Sequence, residues 1–230
     1  MTTPLINDEL VVLEALVPLA GARIIEAGCG AAQLARDLLA RHETAAVVGI
    51  EVDDRQLAKN RSAPAERLEF ERAGAESIPF ASASFDGALM LKSLHHVPLT
   101  LMDQALSELF RVLRPAGWLY VSEPVYAGEL NELIRVFNDE GEVRAAAQGA
   151  LDRAIASGLW LPAAERRFEM PVSFAGFEDF ERRMMRPTYA DHRIDDAMVE
   201  RVKLRYAPYQ GNDGARFTRP MHVRLLRKAR

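Results

Sequence analysis

The apolar run Arg23-Ile24-Ile25-Glu26-Ala27 leads directly into Gly28-Cys29-Gly30-Ala31-Ala32-Gln33-Leu34, and some twenty residues later Val47-Val48-Gly49-Ile50 ends in Glu51. This order predicts a strand, a tight turn, a helix, a second strand and an acid at its end. Two glycines let the turn approach a ligand with no Cβ in the way. The carboxylate closing the second strand is placed to accept from two neighbouring hydroxyls. Together they predict a site for an adenosine-bearing cofactor.

The rest of the chain continues the alternation. Leu5, Ile6, Leu10, Leu13, Leu16 and Val17 recur at helical spacing, with Thr3 or Asn7 as candidate caps, so an amphipathic helix is expected to open the chain. Strand 23–26, helix 32–41, strand 45–50, helix 54–60, strand 67–71, strand 86–91, helix 100–113 and strand 118–122 follow. Strands alternating with helices predict a parallel sheet covered on both faces, with ligands beyond the carboxyl ends of its strands. Over 127–158, helical stripes interrupted by Gly141 and Gly149 predict an inserted pair of helices. Strand 167–172, helices 177–185 and 195–206, the turn Gly211-Asn212-Asp213-Gly214 and strand 221–226 complete the expected order.

A dinucleotide fingerprint needs a third glycine at the position of Gln33, where helix and strand pack closely over a pyrophosphate. Its absence disfavours a nicotinamide cofactor. Further segments follow in a fixed order: Ala73-Gly74-Ala75-Glu76-Ser77-Ile78-Pro79-Phe80, Ser84-Phe85-Asp86-Gly87-Ala88-Leu89-Met90, Leu94-His95-His96-Val97, and Glu108-Leu109-Phe110-Arg111-Val112-Leu113-Arg114-Pro115-Ala116-Gly117-Trp118-Leu119. With the E-x-G-x-G turn, they resemble the class I S-adenosylmethionine-dependent methyltransferases over residues 20–125, in the subgroup that acts mostly on small molecules.

The resemblance implies an α/β, doubly wound, mostly parallel seven-stranded sheet of Rossmann-like methyltransferase type, with the last strand antiparallel and a helical lid at about 127–160. It implies one domain over 1–230: a cofactor-binding half to about 125, the lid, and a substrate-side part over 161–230. It implies S-adenosyl-L-methionine as cofactor, bound by Glu26, Gly28, Cys29, Gly30, Glu51, Val52, Ala75, Glu76 and Leu91. Glu51 would hold the ribose, Glu26 would lie near the methionine amino group, and Ala75 would face the adenine. Gly74 stands where the family usually has an aspartate, and Glu76 is the side chain expected to reach in its place. Ala32 replaces the more usual third glycine of the turn.

Length and charge narrow the partners. Two hundred and thirty residues suit one α/β core. A net charge of −4 with both signs interspersed gives no general field for nucleic acid or an anionic membrane. The basic residues Arg216, Arg219, Arg224, Arg227, Lys228 and Arg230 are expected on the solvated face and tail of the last strand. The single cysteine, Cys29, cannot form an internal disulfide, and with no signal-like segment a cytoplasmic protein is expected. As a small residue between two glycines, Cys29 suits the turn, and no His or acid is placed by sequence to activate it.

Methyl transfer from a sulfonium needs an in-line nucleophile more than an acid–base apparatus, because holding two reactants in attack geometry is worth roughly 7–11 kcal/mol. The candidates for a proton-accepting role are His95 and His96, near the end of the fourth strand, and Tyr126 is the candidate for touching the substrate. The alternative for the histidines is packing over the cofactor. Lys92 is expected at the surface or the cofactor's edge. A metal site is not expected: hard-cation ligands are lacking, and adjacent histidines are expected to point to different sides. Arg135, Arg144, Arg182, Arg183 and Arg186, with Trp160 and Tyr189, suggest an anionic or aromatic small-molecule substrate. Two readings stand beside the methyltransferase: a nicotinamide-dependent Rossmann oxidoreductase, and a non-catalytic cofactor-binding member of the fold. Glu51→Ala is expected to weaken binding of S-adenosylhomocysteine at least about tenfold with the fold intact, measured by calorimetry alongside circular dichroism. Unchanged affinity means the ribose is elsewhere.

Overall fold

Ile24, Ile25, Glu26 and Ala27 are all buried, as a strand covered on both faces requires. A computed structural model describes residues 3–187 and 194–229. The first strand, β1 (Arg23–Ala27), pairs in parallel with β2 (Ala46–Glu51) on one side and β4 (Phe85–Leu91) on the other, so that Ile25 lies opposite both Val48 and Ala88. Beyond β2 lies β3 (Leu68–Arg72), and beyond β4 lies β5 (Leu113–Pro124), both parallel. The sheet has seven strands in the order β3-β2-β1-β4-β5-β7-β6, with β6 at Trp160–Phe174 and β7 at Ala215–Lys228, the last strand antiparallel. Strand order reverses between β1 and β4, and their carboxyl ends flank the crevice in which such sheets bind ligands.

Helices α1 (Glu9–Glu14), α2 (Gln33–Arg41), α3 (Asp54–Ser62), α4 (Met102–Val112) and α6 (Gly141–Ala156) accompany the sheet; α5 is Glu129–Ile134, α7 Phe177–Phe180 and α8 Asp196–Tyr206. The chain divides into two compact units. The larger comprises residues 8–123, 143–166 and 222 onward. Its core joins Ile25, Val48, Ala88 and Val121 of the sheet to Leu106 and Leu109 of α4 and to Ala147, Ala150 and Leu151 of α6. Each fully buried Leu, Ile or Val here contributes about 1.5–3 kcal/mol. The smaller unit holds residues of 1–7, 124–142 and 167–221. Its core is aromatic: Phe174 and Phe180 meet edge to face at 5.1 Å, and Phe180 meets Tyr206 at 5.2 Å.

Several expectations need correction. The opening helix is short, capped by Asp8 rather than Thr3 or Asn7, with the Asp8 carboxylate accepting from the Leu10 N–H at 3.0 Å. Leu5 is exposed because the chain before Asp8 is extended: Glu169 donates to the Pro4 carbonyl and Ile6 to the Glu169 carbonyl. Gly141 starts α6 instead of interrupting it, and Gly149 sits inside that helix without breaking it. The 127–158 segment is divided, α5 belonging to the smaller unit and α6 from Val143 onward to the core of the larger. Residues 177–185 begin as α7 and continue as a wider turn over Glu181–Met185. Strands β6 and β7 are longer than alternation predicts, because many of their side chains face solvent and carry polar groups.

The C-terminal basic residues are not all solvated. Lys228 donates to the carbonyls of Phe110 and Leu113 at 2.7 Å each, closing the C-terminus of α4, and lies 4.3 Å from the Phe110 ring. Arg224 pairs with Asp152 at 2.8 Å.

Gly87 tests the packing between β4 and β5. It lies opposite Trp118, whose buried indole occupies the space a Cβ would need. Gly87→Ala is expected to destabilise the fold by about 1–3 kcal/mol, since a rigid ring in a closed core cannot retreat. Chemical denaturation measures this, and an unchanged midpoint would show that the indole has somewhere to go.

Candidate active site

The turn after β1 is held from every side. Gly28 (φ +70°), Gly30 (φ +51°) and Ala32 (φ +53°) all adopt the left-handed region. A Cβ on Gly28 would lie 2.8 Å from Ser93 Cβ, so glycine is required there for space as well as for backbone. The N–H groups of Gly28 and Cys29 both donate to the Ile50 carbonyl, at 3.0 and 3.1 Å. Asn60, from α3, donates to the Gly30 carbonyl at 2.7 Å, and Ser93 donates to the Ala27 carbonyl at 2.8 Å.

Glu51 faces this turn. Its Oε2 accepts from the Gly30 N–H at 2.8 Å, and its Oε1 accepts from Val52 and Asp53 at 2.8 and 3.0 Å. A carboxylate has about four lone-pair directions, so roughly one remains for a hydroxyl. The α3 cap is Asp53, whose carboxylate accepts from Arg55. Val52 is 61% exposed beside the acid and offers an apolar surface there.

Cys29 is buried, its sulfur 2.8 Å from where a Cβ on Gly49 would stand. Burial, with Glu26 and Glu51 nearby, pushes the thiol well above its ordinary range, so it stays protonated and unreactive. Glu26 is buried too, and its Oε2 has no hydrogen-bond partner. Desolvation raises this carboxyl to about 8; Lys92 opposes the shift, and Glu9 and Glu51 add to it. An unpartnered buried carboxyl oxygen fits an ammonium group.

The 73–80 segment is locked onto α4. Glu108 accepts the Ile78 N–H at 3.0 Å, and Arg111 donates to the carbonyls of Phe80 and Ile78 at 2.7 and 2.8 Å. Ala75 is buried, and Ala73 N–H donates to the Glu51 carbonyl at 3.3 Å, tying the segment to the end of β2. The Glu76 carboxylate occupies the space that a side chain at Gly74 would fill. An acid from two residues later thus lies against the backbone of Gly74. Leu91, half-buried, ends β4.

The two histidines differ sharply. His95 is buried, and its Nδ1 is bonded to Oε2 of Glu123, also buried, at the end of β5; Oε1 of Glu123 accepts the Leu94 N–H at 2.9 Å. A carboxylate at Nδ1 fixes the orientation of the ring, as in acid–histidine pairs that position a base. His96 is exposed. The rings lie 4.1 Å apart and do not point to different sides, because residues 94–96 form a tight 3₁₀ turn.

Tyr126 belongs to the smaller unit, where its hydroxyl donates to Asp139 at 2.7 Å. That bond holds the phenol above its ordinary pKa, so Tyr126 is not a phenolate base. Trp160 is fully buried against Phe110 and cannot contact a substrate. Arg182 and Arg183 pair with Asp179, Arg186 with Glu181, and Arg135 with Glu132, so local acids account for these guanidinium groups. Tyr189 lies outside the described residues.

Glu123, Ser93, Asn60 and Glu9 were missed by sequence reasoning. Glu123 carried a usable signal: like Glu51, it is an acid ending an apolar run.

Residues 25–121 match the family described as a methyltransferase domain. An O-methyltransferase of Pyrenophora dematioidea is 36% identical over 121 residues, 50% of this chain and 44% of that protein. Methyltransferase GfsG of Streptomyces halstedii is 35% identical over 119 residues, 50% of this chain and 42% of that protein. The chain thus spans less than half the length of these relatives. The YcgJ protein of Bacillus subtilis shares the fold, with a TM-score of 0.67 at 16% identity over 97% of this chain and 98% of that one. No helix among the described residues is long and apolar enough to cross a membrane. The glycine turn and the acids Glu26 and Glu51 lie within this matched segment, so residues 25–121 are similar to a methyltransferase domain.

Proposed function

We propose that the protein transfers a methyl group from S-adenosylmethionine to a hydroxyl of a small molecule. The observation that carries this is the pair of acids on either side of the glycine turn: Glu51 bonded to it, and Glu26 buried beside it with an oxygen unspent. When bound, the cofactor supplies a methyl on a sulfonium with a good leaving group behind it. Glu51 accepts ribose hydroxyls through its remaining lone pair and by sharing the Gly30 N–H, Val52 and Ala75 flank the adenine with Glu76 at its amino edge, and Glu26 accepts from the ammonium. Gly28, Cys29 and Gly30 supply the close backbone, and Leu91 borders the same crevice.

A neutral amine is nucleophilic enough to attack without a base, whereas a hydroxyl is a weak nucleophile unless its proton is taken as the new bond forms. A buried base held by a carboxylate favours the hydroxyl, with His95 as base and Glu123 as its brace. His96 is left to acceptor contact, and Tyr126, in the smaller unit, is given no part in the chemistry. Names of relatives agree with oxygen as the acceptor atom: two O-methyltransferases, from Pyrenophora dematioidea and Penicillium expansum, are among those matched.

Labelled methyl transfer to a panel of hydroxyl-bearing small molecules tests the activity. Glu123→Gln is expected to lower kcat about a hundredfold or more while S-adenosylhomocysteine affinity stays unchanged; an unaltered kcat removes His95 from catalysis.

A second outcome concerns protons. Below pH 8 the Glu26 carboxyl is protonated in the free protein, and an arriving ammonium ionises it. Binding near pH 6.5 is therefore expected to release about one proton, and affinity to rise with pH until it levels above 8. Calorimetry in buffers of different ionisation heat reads the release, and Glu26→Gln should abolish it. Release that persists in Glu26→Gln assigns the proton elsewhere.

A further inference from the structure

Lys92 follows β4 in the left-handed region (φ +56°), a backbone that a lysine adopts only under constraint, and its N–H donates to the Ser122 carbonyl at 2.7 Å. Its side chain is 35% exposed, and the ammonium lies 3.6 Å from Oε2 of Glu9, outside hydrogen-bond range. Glu9 is itself fixed. It is buried on α1, and its Oε1 accepts from the Tyr120 hydroxyl at 3.2 Å. Burial and this acid keep the Tyr120 phenol protonated, so it remains a donor to Glu9.

Ser93, next to Lys92, donates to the carbonyl of Ala27, next to Glu26, so Lys92 and Glu26 lie side by side at the carboxyl ends of β4 and β1, without an ion pair between them. A partly buried ammonium with unspent donors therefore neighbours a buried carboxyl with an unspent oxygen. These are the two halves of a receptor for a zwitterion. The acids Glu9 and Glu51 disfavour an incoming carboxylate, and Lys92 is the cation beside them.

We propose that Lys92 holds the carboxylate of the cofactor's amino-acid end, opposite the ammonium held by Glu26, and that Glu9 keeps the lysine in place until that carboxylate arrives. This rests on the methyltransferase assignment and adds the residue that distinguishes the whole cofactor from its adenosine half. Glu9 is a positioning residue, and Lys92 contacts the ligand.

Two probes separate these roles: S-adenosylhomocysteine, and 5′-methylthioadenosine, which keeps the adenosine and sulfur but lacks the amino-acid end. Lys92→Met is expected to weaken the first at least about tenfold and leave the second unchanged, while Lys92→Arg retains most of the affinity for both. Because Lys92→Met leaves Glu9 buried without its ion pair, Glu9→Gln/Lys92→Met provides a neutral replacement that should show the same selective loss. Equal weakening of both probes, or no weakening of S-adenosylhomocysteine, overturns the proposal. Wild-type protein that binds neither probe overturns the methyltransferase assignment, and this proposal with it.

Discussion

One carboxylate joins the turns that follow the first two strands. Glu51 collects the N–H groups of Gly30, Val52 and Asp53, so the turn after β1 and the turn after β2 are fastened to a single side chain. Hydrogen bonds to a charged group are worth about 1.5–3 kcal/mol each. They add to the bonds with Ile50, Asn60 and Ser93 that hold three left-handed backbone residues within five positions. The neighbouring segment depends on the same point, since Ala73 bonds to the Glu51 carbonyl. Shape at the site thus follows from charge at the end of one strand.

The same region concentrates negative charge where solvent is scarce. Glu9, Glu26 and Glu51 are all buried, and Lys92 is the cation among them. Burial, with Glu9 and Glu51 nearby, raises the Glu26 carboxyl to about 8. The free protein therefore stands one charge away from a site shaped for a cationic ligand. His95 and Glu123 present a different case, a buried acid with a buried ring nitrogen bonded to it.

Local spacing made much of this legible. Gly28, Gly30 and Glu51 are read directly, because a turn and the acid closing the next strand are fixed by the strand–helix–strand period. The parallel strands were equally plain, being short apolar runs with helices between them. What escaped depends on residues distant in sequence. Asn60 reaches the turn from α3, Ser93 from beyond β4, and Glu123 from the end of β5, and nothing local marks those partnerships. The opening helix was overestimated because Leu5 and Ile6 fit a helical stripe, whereas their backbone pairs with Glu169. The Glu76 carboxylate folds back over Gly74, a side-chain path that spacing alone does not specify.

Cys29 carries a consequence of its own. It is the chain's one thiol, and its sulfur is sealed against Gly49 beneath the glycine turn. A thiol-alkylating reagent can reach it only when that turn lifts away from β2. The alkylation rate is thus a clock for the opening of the turn, installed by nature at the one place where the opening matters.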